Sequence, residues 1–117
     1  MNSVNLIGRL TADPELTTRG EKQVGRLRIA IPRPKRDGKD QGAEFVDVTV
    51  FNRQAEVCAE YLGKGRRVAV QGRLQHSEWK AEDDSRRQKL EVIANQVDFL
   101  DSPRREGAEA EAEEVTA

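Results

Sequence analysis

The side chains of this sequence that could attack a substrate, take a proton or bind a metal read as standing in no working arrangement. Cys58 and His76 are the sole cysteine and the sole histidine. A single cysteine leaves no internal disulfide, and one histidine beside it cannot complete a zinc site of the usual Cys/His kind within the chain. Cys58 shares a helix-spaced apolar set with Val57, Tyr61 and Leu62 and has no base suggested beside it, so packing is its expected role. His76 reads as structural, or as lying where a strand frays. Glu82-Asp83-Asp84 would suit Mg²⁺ in a nuclease, but adjacent carboxylates in a hydrophilic loop are ordinarily just solvated, and no second cluster converges on them. Gly63-Lys64-Gly65 has the residue types of a phosphate loop at the wrong spacing, and a helix stop accounts for it. No catalysis, cofactor or metal is expected.

The more informative chemistry belongs to flat rings. In 45–51, Val46, Val48 and Val50 take one parity, and a core explains them. The other parity carries Phe45, Asp47, Thr49 and Phe51. A phenylalanine that shares a face with an ionised carboxylate is poorly placed for burial. Farther along, Val68, Val70 and Leu74 form an inner set, and Arg67, Gln71, Arg73, Gln75 and Trp79 an outer one, provided the strand has no bulge. The chain has only five aromatics, three Phe, one Tyr and one Trp, so three rings on polar faces are most of its supply. By parity alone these rings suit a second small core under a loop, or a subunit interface, as well as a binding surface. The binding surface has a definite mechanism. Exposed rings stack on the faces of unpaired bases whatever their identity, and neighbouring Lys and Arg neutralise phosphates, so affinity depends on salt.

Net charge runs against that reading, since the chain stands at −1 with a pI near 5.9, and nucleic-acid-binding domains are commonly basic. The charge is uneven, however. Residues 19–39 hold eight Lys/Arg against two acids and 64–89 hold eight against four, whereas 40–60 hold one against five. From Glu106 onward there are five glutamates and no base. The double arginines Arg66-Arg67 and Arg86-Arg87 suit phosphate contact and the balancing of nearby acids equally.

The elements that position these residues are mostly strands. Apolar runs or alternation predict strands over Val4–Leu10, 24–31, 45–51, 67–79 and 88–99. The segment 32–39, rich in proline, glycine and charge, and the hydrophilic 80–87 are loops. Asn52 is a plausible N-cap for a helix from 53 to about 62, stopped by Gly63 and Gly65, with Val57, Cys58, Tyr61 and Leu62 facing a sheet. Five strands with a short helix between the third and fourth predict an all-β, oligonucleotide-binding (OB) fold, a five-stranded antiparallel barrel. The expected organisation is one domain over 1–103 and a disordered acidic tail over 104–117. The chain starts directly in an apolar pattern with no basic leader, which suggests cytoplasmic residence, associated with the nucleoid if DNA is the ligand.

At these residues the sequence resembles a known family. The run Glu44-Phe45-Val46-Asp47-Val48-Thr49-Val50-Phe51-Asn52-Arg53, continuing to Tyr61-Leu62-Gly63-Lys64-Gly65, is similar to the central segment of bacterial single-stranded DNA-binding proteins. Asn5-Leu6-Ile7-Gly8-Arg9-Leu10 followed by Asp13-Pro14-Glu15, and Val68-Ala69-Val70-Gln71-Gly72-Arg73-Leu74 leading to Trp79, agree with it. The resemblance spans about residues 2–100. It implies a homotetramer of OB barrels that binds single-stranded DNA in replication, repair or recombination. It also implies that Phe45, Phe51 and Trp79 are stacking positions and that Arg53, Lys64 and Arg87 contact phosphate. The cationic stretches add Arg28, Arg33, Lys35, Arg36, Arg67 and Arg73 to the expected nucleic-acid-binding set, and Arg9 of the family-like segment 5–10 completes it.

The sequence departs from the family pattern in three places. Pro34 stands about where many relatives carry another stacking tryptophan, and His76-Ser77-Glu78 stands where bases are common. The tail ends Glu113-Glu114-Val115-Thr116-Ala117 without the acidic tip closed by proline and phenylalanine, which puts tail-mediated protein partners in doubt. The glutamate run would still compete with DNA for a basic groove. Two other uses of the same barrel stand beside this one: a primosome-type adaptor acting mainly through protein contacts, which would not need the three rings, and an RNA-binding module of an enzyme complex.

Overall fold

The computed structural model describes residues 1–101, so the expected acidic tail over 104–117 lies outside the described residues. Six strands and one helix follow in the order β1 (Val4–Leu10), β2 (Glu15–Arg19), β3 (Lys22–Pro32), β4 (Ala43–Phe51), α1 (Asn52–Tyr61), β5 (Arg67–Lys80) and β6 (Arg86–Phe99). Pairings β1–β5, β5–β6, β6–β4, β4–β3 and β3–β1 join five of these strands in a ring, with α1 between β4 and β5. The expected all-β OB architecture is therefore what the chain forms.

The details sharpen it. The β4–β6 pairing is parallel and covers only Val48↔Val92 and Thr49↔Ile93, while the other pairings are antiparallel. β2 is an additional strand, a hairpin with β3 around Gly20-Glu21, with Gly20 at φ 59 as a tight two-residue turn requires. Every residue of β2 is exposed, so it shows no inside–outside alternation by which a sequence reading would find it.

Inside the ring lie Leu10, Leu27, Ile29, Val48, Val50, Val68, Val70 and Val92, all nearly inaccessible to water. Burying each such side chain contributes roughly 1.5–3 kcal/mol before the cost of ordering the chain. Ala55, Cys58 and Leu62 of the helix segment close one end of this core. Tyr61 was expected on that packed face but is exposed, because Ala55 rather than Tyr61 supplies the third inward position one turn from Cys58. Asn52 does not cap the helix with its side chain. It takes the left-handed conformation, φ 56, that turns the chain from β4 into α1, one that Asn tolerates better than most residues.

β5 and β6 are both 14 residues long and outrun the ring, so their ends form a two-stranded arm. A bulge marks its base. Gln71 pairs with Gln96 and Gly72 with Ala94, leaving Asn95 out of the register, its carbonyl accepting from the Gln54 amide at 3.1 Å. A Cβ on Gly72 would lie 2.1 Å from the Ile93 carbonyl oxygen, so only glycine fits. The extra residue sits in β6, so the alternation along β5 is undisturbed and Trp79 keeps the outer face. Leu74 does not join the core as its parity suggested. It is exposed because the strand has left the ring by then. The Asn2 side chain completes the edge of β5 there, donating to the Leu74 carbonyl and accepting from its N–H at 2.9 Å each.

Candidate nucleic-acid interface

Alternation along β4 and the register of its neighbours define one outer face. Phe45, Asp47, Thr49 and Phe51 project from β4. Beside them on β3 stand Ala30 opposite Phe45, Arg28 opposite Asp47 and Arg26 opposite Thr49. On the arm the same face carries Arg73 opposite Ile93, Gln75 opposite Glu91, Ser77 opposite Lys89 and Trp79 opposite Arg87. Phe45 is 57% exposed, Phe51 37% and Trp79 49%, so none of the three rings is sealed in the interior. Phe45 and Phe51 are six residues apart, about 20 Å along an extended strand.

Charged groups tie this face together. The Arg28 guanidinium lies 5.5 Å from the Phe45 ring centre, within cation–π range. Its Nη1 also donates to Asp47 Oδ1 at 2.9 Å, and Lys89 Nζ lies 3.6 Å from Asp47 Oδ2, so one carboxylate sits between two cations. Thr49 Oγ1 donates to Glu91 Oε1 at 2.6 Å, which leaves Thr49 only 8% exposed on an otherwise open face. These two links fasten the base of the arm to β4. On this face is a depression of about 250 Å³, lined by the cations Arg26, Arg28 and Lys89 and by the acids Asp13, Glu15 and Asp47 among others.

The remaining expected cations are distributed around this face. Register places Arg67, Arg9, Ala30 and Phe45 in one cross-strand row. Arg9 is engaged there, donating to the Gly65 carbonyl at 3.0 Å and standing 3.6 Å from Asp101. Arg33 donates to Glu44 at 2.8 Å and to the Gln41 carbonyl at 3.3 Å, which closes the β3–β4 loop. That contact holds the Glu44 carboxyl below its ordinary value. Lys35 and Arg36 extend from the same loop, where the Arg36↔Lys39 bridge is turned by Asp37 and Gly38 at φ 54 and 75. Arg53, directly after Phe51 and Asn52, is the most open of the paired arginines, 3.7 Å from Glu56. Lys64 is exposed, and its backbone N–H donates to Asp13. Arg73 donates to Gln75 at 3.3 Å, and Arg87 to Ser85 Oγ at 3.1 Å across from Trp79.

Two cations on this face were absent from the expected set. Arg26 lines the depression directly, and Lys89 reaches it from β6. Arg26 alternates with buried Leu27 and was legible from parity. Lys89 was not, because only the short parallel pairing brings β6 beside β4. His76 is exposed on the opposite face of the arm and hydrogen-bonds Gln88 at 2.9 Å.

The model of the single-strand binding protein family matches residues 1–100. The chain belongs to that family. Among its relatives in the single-strand binding protein family is the "Single-stranded DNA-binding protein" of Clostridium tetani, 42% identical over 104 residues, which covers 86% of this chain and 71% of the relative. "Single-stranded DNA-binding protein 3" of Clostridium acetobutylicum is 40% identical over 103 residues, covering 86% and 72%. The "Single-stranded DNA-binding protein" of Treponema pallidum is 39% identical over 120 residues, covering 100% of this chain and 68% of its own. Among the described residues, no helix of this family member is long and apolar enough to cross a membrane.

Proposed function

We propose that the chain binds single-stranded DNA with little sequence preference and without catalysis, stacking bases on Phe45, Phe51 and Trp79 while the cations around them take the phosphates. The observation that carries this reading is the exposure of all three rings on one face with cations interleaved. Membership of the single-strand binding protein family supports it. Ring faces are complementary to base faces, which a duplex hides, so one surface both accepts any unpaired strand and rejects paired DNA.

Within this proposal Arg26, Arg28, Arg53, Arg73, Lys89 and Arg87 lie nearest the rings. Lys35, Arg36 and Lys64 guide the strand at the margins, and Arg9, Arg33 and Arg67 contribute field rather than direct contact. Assembly as a homotetramer would join four such tracks and let one long strand gain from linked contacts. The roles that follow are those of a cytoplasmic, nucleoid-associated coat on exposed strands in replication, repair or recombination. An adaptor acting mainly through proteins is disfavoured by the three open rings.

Titration with oligothymidine tests the proposal. Trp79 is the chain's single tryptophan, so its fluorescence should quench on binding, with affinity falling as salt rises. Trp79→Ala should cost roughly 1–3 kcal/mol. Equal affinity for duplex of the same length, or no loss in the Trp79→Ala variant, would overturn the stacking mechanism.

A further inference from the structure

We infer that Asp47 limits the affinity of this surface: it is a built-in anion that occupies Arg28 and Lys89 in the place a backbone phosphate would take. The inference rests on the proposed interface and adds to it a residue that sets its strength. Asp47 lies on β4 between Phe45 and Phe51, two residues from the first and four from the second, and lines the depression on this face. Its two oxygens face two different cations, Arg28 at 2.9 Å and Lys89 at 3.6 Å. The side chains of all three are between a third and about half exposed, so the group is open to an incoming strand. Arg26, which lines the same depression, stands opposite Thr49 on β4 and opposite Glu15 on β2, and Asp13 and Glu15 line the depression too. Of the three cations lining the depression, Arg28 and Lys89 are the two that share Asp47.

The consequence follows from ion release. A cation that meets a phosphate sheds the counterion condensed on the strand, and the gain appears as salt-dependent affinity. When the cation already carries an internal carboxylate, the phosphate must displace that carboxylate or sit beside it, and the like charges oppose each other. The net gain then shrinks and the salt dependence flattens. Asp47 also holds Arg28 over the Phe45 ring, so the pair keeps that platform ordered while weakening its grip. A binder that must be removed from DNA as readily as it is loaded gains from such a limit.

The test is Asp47→Asn in the full chain, which keeps the shape of the side chain and removes its charge. Affinity for oligothymidine at about 0.1 M salt should rise on the order of three- to tenfold. The slope of log affinity against log salt should steepen by roughly 0.7–1.4, the share of one or two added phosphate contacts on a single strand. An abasic oligomer of equal length should gain by a similar factor, since the effect is on phosphates. Glu21→Gln, which removes an equal charge from the β2–β3 turn, should change affinity less than twofold. Arg28→Gln should cost more affinity in the Asp47→Asn background than in the parent chain. The inference is overturned if Asp47→Asn leaves affinity unchanged or lowers it, if Glu21→Gln matches it, or if the slope does not move. Loss of the stacking proposal reads out separately, as Trp79→Ala without effect and no preference for oligothymidine over the abasic strand.

Discussion

Single residues divide here into those that face the strand and those that must never react. Cys58 is of the second kind. Its side chain is almost completely buried in α1, and burial pushes the thiol from 9.0 up to about 11. A thiol held protonated is a poor nucleophile. Native protein at pH 8 should therefore resist iodoacetamide, with labelling proceeding only as fast as the molecule opens; fast stoichiometric labelling would mean the helix does not pack as described. The sign of the pH effect is also set. Because the folded value lies above the unfolded one, the contribution is intact below about pH 9 and is lost as pH rises through about 11. Cys58→Ala should flatten the alkaline side of the stability curve, measured by urea unfolding. At this scale the sequence was most legible for the rings. Phe45, Phe51 and Trp79 were selected by alternation because each shares a face with charged or polar neighbours, and all three are open. Tyr61 and Leu74 were misjudged because alternation states which side a residue takes, not whether the side is covered. Among the described residues both positions are exposed.

At the level of elements, five of the six strands and the helix follow from alternation and turn chemistry. β2 did not, having no buried side to alternate with, and the parallel β4–β6 contact did not, because pairing between distant strands leaves no local mark. The partial exposure of Leu74 and Leu90 has the same origin: the length of β5 and β6 was legible, but not that β5 parts from β1 at Gly72. The Gly72 bulge is the element on which the placement of Trp79 depends. Gly72→Ala places a methyl against the Ile93 carbonyl and should destabilise the fold by about 1–3 kcal/mol. It should also weaken strand binding more than a core truncation of equal cost, since the arm is re-aimed. Thermal unfolding and oligothymidine titration of the same variant check both outcomes. If binding falls only in proportion to stability, the bulge does not aim the arm.

The molecule as a whole hides its positive character behind a near-neutral sum. Residues 1–101 hold eighteen Lys/Arg against sixteen acids, and residues 102–117 hold two against five. A chain ending at Asp101 should therefore bind oligothymidine more tightly than the full chain at low salt. The difference should shrink as the screening length shortens to about 3 Å near 1 M. A gap that persists at high salt would point to a direct contact rather than a field.

The two-pair parallel seam between β4 and β6 divides the platform, with Phe45 and Phe51 on one bank and Trp79 on the other. A seam so short, backed by Thr49–Glu91 and Asp47–Lys89, yields more cheaply than the long antiparallel ladders around it. Amide hydrogens at Thr49 and Ile93 should then exchange faster than those deep in the β3–β4 ladder. A joint that gave would let the banks part for a purine and draw together for a pyrimidine, and indifference to sequence would then rest on compliance as well as on flat surfaces.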